Sequence, residues 1–177
     1  MIRALAFALM LAQAAGAETV PEPSDYHGEP YRSAVPATLA GAEVIDTDQA
    51  IALQGQGRAA FFDVLPRKAR PEGLPEGTIW NAPVHETIPG ALWLWDTGYQ
   101  ALAPAEQARL RDAMTQAQAD HPDRLLVFFC RTDCWMSWNA ARRAIEWGFD
   151  PVIWYPGGTD AWVAAGQPLV TAEPVAP

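Results

Sequence analysis

The chain has 177 residues, half of them hydrophobic, and sets 12 basic against 21 acidic side chains for a net charge of −9. That balance excludes a nucleic-acid or anionic-membrane binder, because counterion release needs clustered Lys and Arg, and only the pairs Arg67/Lys68 and Arg142/Arg143 cluster. Past the N-terminal run, Pro, Gly and charges break every apolar stretch well short of membrane-spanning length, so no membrane insertion of the mature chain is expected.

In chain order, the opening MIR, the apolar run over 4–14 and the small residues Ala15-Gly16-Ala17 ahead of Glu18 read as a secretory signal peptide. The alternative, a buried N-terminal helix, calls for polar residues at helical spacing, and this run has only Gln13. Cleavage after Ala17 leaves 160 residues, the size of one compact domain, and a charge of −10, because the removed segment holds one Arg and no acid. The expected location is therefore periplasmic. Residues 18–37, punctuated by Pro21, Pro23, Pro30 and Pro36, predict an extended arm, with Tyr26 and Tyr31 placed to lay it along a domain over 38–177.

Beyond the arm, strand and helix signals alternate. EVID predicts a short strand, and Asp46 or Thr47 caps a helix over DQAIALQGQ that Gly55 and Gly57 end. AAFFDV is an apolar run of buried-strand type, followed by a Pro/Gly-rich stretch over 66–83 and a turn leading into a strand in IPGALWLW. Pro104 starts a helix running to about Ala119, with Leu110, Ala113, Met114 and Ala117 on one face. RLLVFF is the next strand, and after CRTDCW a helix turns Ala140, Ala141, Ala144 and Ile145 inward and ends at Gly148. PVIWY is a strand, and GGTDAWVAAG a turn and short helix capped by Thr159. Strands separated by helices at this spacing predict an α/β domain, a mainly parallel central sheet with helices on both faces, and chemistry at the carboxyl ends of the strands.

Cys130 stands at such an end. Unpaired N–H groups and the dipole of the following helix favour a thiolate there, and Arg131 beside it acts in the same direction. Cys134, four residues on, is close enough across a curled loop to pair with it in a small ring more reducible than a structural bridge; the plainer alternative is a passive disulfide stapling the loop. Thr132 and Asp133 complete the loop, Asp133 as a turn residue, and Trp135 is either core or a recognition surface. Trp147, Trp154 and Trp162 are read as core. No metal is expected, since His27, His85 and His121 are scattered and read as loop or surface residues. Covalent haem would need a histidine where Trp135 stands, and a Cys-x5-Arg phosphatase an arginine where Met136 stands.

The run FFCRTDCWMSWNAARRAIEWGFDPVIWYPGGTDAWVAAGQPLV, with AFFDV and IPGALWL ahead of it, resembles the rhodanese-like domain over residues 38–170. More narrowly, CRTDCWMSWNAA, WYPGGTDAW and the exported N-terminus resemble the PQQ-dependent catabolism-associated CXXCW motif family. The broad resemblance implies a catalytic cysteine at Cys130 in a six-residue loop. The narrow one implies a redox role beside periplasmic quinoprotein alcohol oxidation. Ordinary rhodanese loops read Cys-x-x-Gly-x-Arg, whereas here Asp133 holds the glycine position and Trp135 the arginine position, which speaks against thiosulfate as sulfur donor.

Three functions follow as expectations. The first is a periplasmic thiol/disulfide redox protein accessory to PQQ-dependent alcohol or methanol oxidation, with Cys130 as nucleophile, Cys134 as resolving cysteine, no required cofactor, and a PQQ-dependent dehydrogenase or its cytochrome c as partner. The second is a thiosulfate or persulfide sulfurtransferase working through Cys130. The third is a non-catalytic protein whose Trp135 loop binds a quinoprotein, cytochrome or redox cofactor.

Overall fold

The computed structural model describes residues 20–119 and 121–176, so the signal peptide predicted over 1–17 lies outside the described residues. Five parallel strands form the central sheet in the order β1 (Glu43–Val44), β6 (Val152–Tyr155), β5 (Leu125–Phe129), β2 (Ala59–Asp63) and β4 (Leu92–Trp93). A separate antiparallel ribbon pairs β3 (Glu86–Thr87) with β7 (Val170–Thr171). Neither of these two-residue strands is signalled by periodicity; the ribbon closes because the chain returns past Thr87 after its last helix.

The side-chain period of two divides the sheet's residues between two cores. Phe62, Leu126, Phe128, Val152 and Trp154 point to one face, where α2 (Pro104–Gln118) and α3 (Trp135–Glu146) cover them with Leu110, Met114, Trp138 and Ala141. Phe61, Val127, Phe129, Ile153 and Tyr155 point to the other, under α1 (Thr47–Gln56) and α4 (Gly158–Ala164), which contribute Ala50 and Trp162. The strands are apolar on both faces for this reason, and the expected α/β architecture is the one observed.

Local chemistry sets the element ends. Asp46 caps α1 by accepting the Gln49 N–H at 2.9 Å, Gln49 returns the bond to the Asp46 N–H, and Gly57 closes the helix in the left-handed region. Pro104 opens α2 at its first turn, as expected. Two details differ from the sequence reading. Thr159 lies inside α4, with Gly157 as the cap, and Trp147 is only half-buried, lying under the Arg111 guanidinium at 4.2 Å. No helix among the described residues is long and apolar enough to cross a membrane.

Residues 20–37 contain no helix or regular strand, yet they lie along α3 and the cysteine loop. Arg142 donates to the carbonyls of Pro23 and Ser24, Tyr26 pairs with Glu146, and Asn139 both accepts the His27 N–H and donates to the His27 carbonyl. Tyr31 packs edge-on against Tyr99. The arm is thus fastened by its two tyrosines, and by α3 polar groups whose partners sequence alone does not identify.

Candidate active site

Parallel pairing of β5 between β2 and β6 places the carboxyl ends of all three side by side, so Asp63, Cys130 and the turn at Pro156–Gly157 share one end of the sheet. The loop from Cys130 to Trp135 leaves β5 there and turns directly into α3. Its geometry is held at every position. Arg131 makes a two-pronged ion pair with Asp160 of α4, at 2.7 and 2.9 Å, and Thr132 Oγ1 donates to the Gly157 carbonyl at 2.8 Å. Asp133 adopts φ +53°, a left-handed conformation in which a side chain costs energy and a glycine does not. From below, the N–H of Thr159 and its hydroxyl both bond to the Cys130 carbonyl. Gly158 makes that approach possible: a Cβ there would lie 2.5 Å from the same carbonyl oxygen.

The two sulfurs are unlike. Cys130 is buried among Ser137, the Cys134 carbonyl and the Cys134 sulfur, with Ser137 Oγ at 3.2 Å. Burial first, then its hydrogen bond and charge coupling to Cys134, push the Cys130 thiol well above the ordinary range. Cys134 is the cap residue of α3 and its thiol is lowered to about 7. The leading cause is the hydrogen bond from Cys130; burial opposes it, and the backbone N–H groups of Met136 and Arg131, together with the Arg32 charge, act in favour of the thiolate. The sequence expectation places the activated thiol at Cys130; α3 begins at Trp135, so the unpaired N–H groups of its first turn fall beside Cys134. The Arg131 guanidinium pairs first with Asp160, and the charges of Cys134 and Cys130 act on it more weakly.

Other residues were missed or misread. Ser137 sits wholly buried behind the pair, accepting the Trp154 indole N–H at 3.0 Å while in reach of Cys130; only its position one turn into α3 hints at this. Trp135 is 3% exposed, its ring stacked on His27 at 4.0 Å and its N–H donated to Ser33 Oγ at 3.0 Å, which corrects the exposed recognition surface considered for it. His27 and His85 are not idle loop residues. His85 stacks on Trp93 and bonds to the fully buried Asp63 carboxylate at 2.7 Å, which also accepts from Thr87.

The matched region of a known family spans this strand, loop and helix. The rhodanese-like domain model matches residues 46–165. The chain belongs to the rhodanese-like domain family. No curated protein matches it. Among solved structures, this rhodanese-like chain is similar to a protein of unknown function from Rhodopseudomonas palustris, described as a possible tyrosine phosphatase, with 22% identity over 73% of this chain and 85% of that one and a TM-score of 0.42. It is similar to a thiosulfate sulfurtransferase from Pseudomonas aeruginosa at 18% identity and a TM-score of 0.49, over 75% of this chain but 21% of the other, so it spans about a fifth of that protein. The polysulfide-sulfur transferase homodimer of Wolinella succinogenes is 18% identical over 74% of this chain and 80% of that one, with a TM-score of 0.47.

Proposed function

We propose that this rhodanese-like domain is an exported thiol–disulfide oxidoreductase, accessory to PQQ-dependent alcohol or methanol oxidation in the periplasm. The observation that carries the redox reading is that two free, buried cysteines share one loop, Cys134 as the N-cap of α3 beside its unpaired N–H groups and Cys130 behind it against Ser137 Oγ and the Cys134 carbonyl. One sulfur is thereby a nucleophile at neutral pH, and the other is held protonated in reserve. The setting, with a PQQ-dependent dehydrogenase or its cytochrome c as partner, rests on the resemblance of CRTDCWMSWNAA to the CXXCW motif family.

The exchange balances as follows. The Cys134 thiolate attacks one sulfur of a partner protein's disulfide, and the partner's other sulfur leaves with the bonding pair. Once Cys134 is in the mixed disulfide, the charge and hydrogen bond that held the Cys130 proton are gone. That proton passes to the departing thiolate, and Cys130 attacks the Cys134 sulfur. The partner's second thiolate leaves. The pair ends as a disulfide and the partner as one thiol and one thiolate, which takes its proton from solvent; a dithiol reductant reverses the sequence.

Sulfur transfer through a persulfide on Cys130 is the second reading, favoured by family membership. It lacks the loop arginine, whose place the buried Trp135 fills. Intact mass after treatment with thiosulfate or with a protein disulfide separates the two. The redox reading expects loss of two hydrogens with the disulfide and no sulfane adduct with thiosulfate; a stable sulfane adduct that cyanide removes overturns it.

A further inference from the structure

Cys130 and Cys134 are 1% and 2% exposed, so no protein disulfide reaches either sulfur until some cover leaves. Most of what surrounds them belongs to β5, β6 and α3 and is part of the core. The arm is the exception. Arg32 forms an antiparallel bridge with Cys134, flanked by Ser33 N–H donating to the Asp133 carbonyl at 3.1 Å and the Tyr31 carbonyl accepting the Trp135 N–H at 2.9 Å. The arm therefore occupies the loop as a short added strand. What it uses, one backbone acceptor and one backbone donor in antiparallel register, any extended peptide supplies whatever its sequence.

Resting on the thiol–disulfide reading, we propose that the edge covered by Tyr31–Ser33 is the docking strand for an extended segment of the partner, centred on one half of its disulfide, and that the arm holds this place in the resting protein. Register is the reason for the position. Residues directly opposed in an antiparallel bridge have Cα atoms about 4.5–5.5 Å apart. That span lies inside the roughly 4.4–6.8 Å over which two cysteines join. A half-cystine in the place of Arg32 thus brings its sulfur to Cys134 without moving the loop. Displacing Tyr31–Ser33 leaves the arm attached through Pro23, Ser24 and His27, whose partners Arg142 and Asn139 lie further along α3. The trapped step is balanced: the Cys134 thiolate forms a bond to the peptide sulfur, and the leaving thiolate carries off the electron pair of the broken S–S bond.

The test uses the mature chain with Cys130→Ser, so that exchange stops at the mixed disulfide. Two probes carry the same thionitrobenzoate leaving group: glutathione, and a peptide of residues 28–35 with cysteine in the place of Arg32. Rates are compared with and without Ser33→Pro, which removes the N–H that bonds to Asp133. The peptide should react about tenfold faster than glutathione, and Ser33→Pro should speed both about tenfold, the effect of one lost hydrogen bond on the open population. Ser33→Ala, which removes the acceptor for the Trp135 indole and a bond within the arm to the Pro30 carbonyl but keeps the backbone N–H, should give a smaller gain and stands in if the proline variant does not fold. Equal rates for the two probes overturn the docking strand, and rates unmoved by both Ser33 substitutions overturn the arm as its cover; in either case the redox reading survives. If Cys134 reacts with neither probe even when the arm is loosened, both readings fall.

Discussion

Replacing Cys130 by alanine removes the hydrogen-bond donor that is the largest influence lowering Cys134 to about 7. A hydrogen bond to a charged acceptor is worth about 1.5–3 kcal/mol, and one pKa unit corresponds to about 1.4 kcal/mol. The Cys134 thiol should then rise by about one to two units, to about 8–9, the burial that opposes its ionisation remaining. Near pH 7 about half of Cys134 is thiolate in the parent and about one to ten per cent in the variant. Intrinsic nucleophilicity grows with pKa and returns part of that loss, so alkylation at neutral pH should slow by about two- to eightfold. The assay is the rate of iodoacetamide modification across pH, with the modified residue located by peptide mass. A Cys134 titration unmoved by Cys130→Ala, or modification of Cys130 ahead of Cys134 in the parent, would refute the assignment of roles.

The remaining expectations concern pH, backbone, buried polar groups and export. Because the folded Cys134 thiol titrates at about 7 against an ordinary 9, its stabilising contribution is present above 9 and is lost as pH falls through 7. Reduced protein should gain roughly 2–3 kcal/mol, at most, between pH 7 and 9; the gain should vanish in Cys134→Ser, and a flat denaturation profile contradicts it. Above pH 9 the raised Cys130 thiol opposes further gain, since the unfolded chain then ionises it and the folded chain does not. Asp133→Gly should stabilise the fold by about 0.5–1 kcal/mol in thermal unfolding by relieving the positive φ; a loss of stability would show that the Asp133 side chain has a role the loop needs. Ser137→Ala should cost about 1–3 kcal/mol, since it strands the buried Trp154 indole N–H, while Ser137→Thr should recover part of that in denaturant titration. Protein from a periplasmic fraction should begin at Glu18, and retention of Met1 on a cytosolic form would contradict export.

Much of the fold is readable in the sequence because its signals are local. AAFFD, LLVFF and VIWY are continuous apolar runs bounded by breakers, Pro104 marks a helix start, and Asp46 or Thr47 marks the cap of α1, of which the structure uses Asp46. The ribbon of Glu86–Thr87 with Val170–Thr171 is not readable, since each strand has two residues and its partner lies far along the chain. The cysteine loop was legible as the place of chemistry but not in its division of labour. That division depends on where α3 begins: a boundary at Trp135 puts the unpaired N–H groups on Cys134, and a boundary a few residues earlier would have put them on Cys130. Asp133 in the family's glycine position signals a left-handed residue only because asparagine and aspartate tolerate that conformation. The arm illustrates the other limit. Proline spacing shows that it is extended, but its lodging against Cys134 comes from long-range bonds to Asp133 and Trp135 that no periodicity encodes.

The proposed function requires that Cys130 and Cys134 form a reversible two-electron couple. Its most direct test is an equilibrium redox titration of the mature protein against dithiol buffers of known potential, read by intact mass after rapid alkylation. A single transition between dithiol and disulfide forms is expected at a potential above roughly −300 mV, abolished by substitution of either cysteine. Two thiols that stay alkylatable across the whole range, or a bridge that resists reduction below that potential, would contradict it.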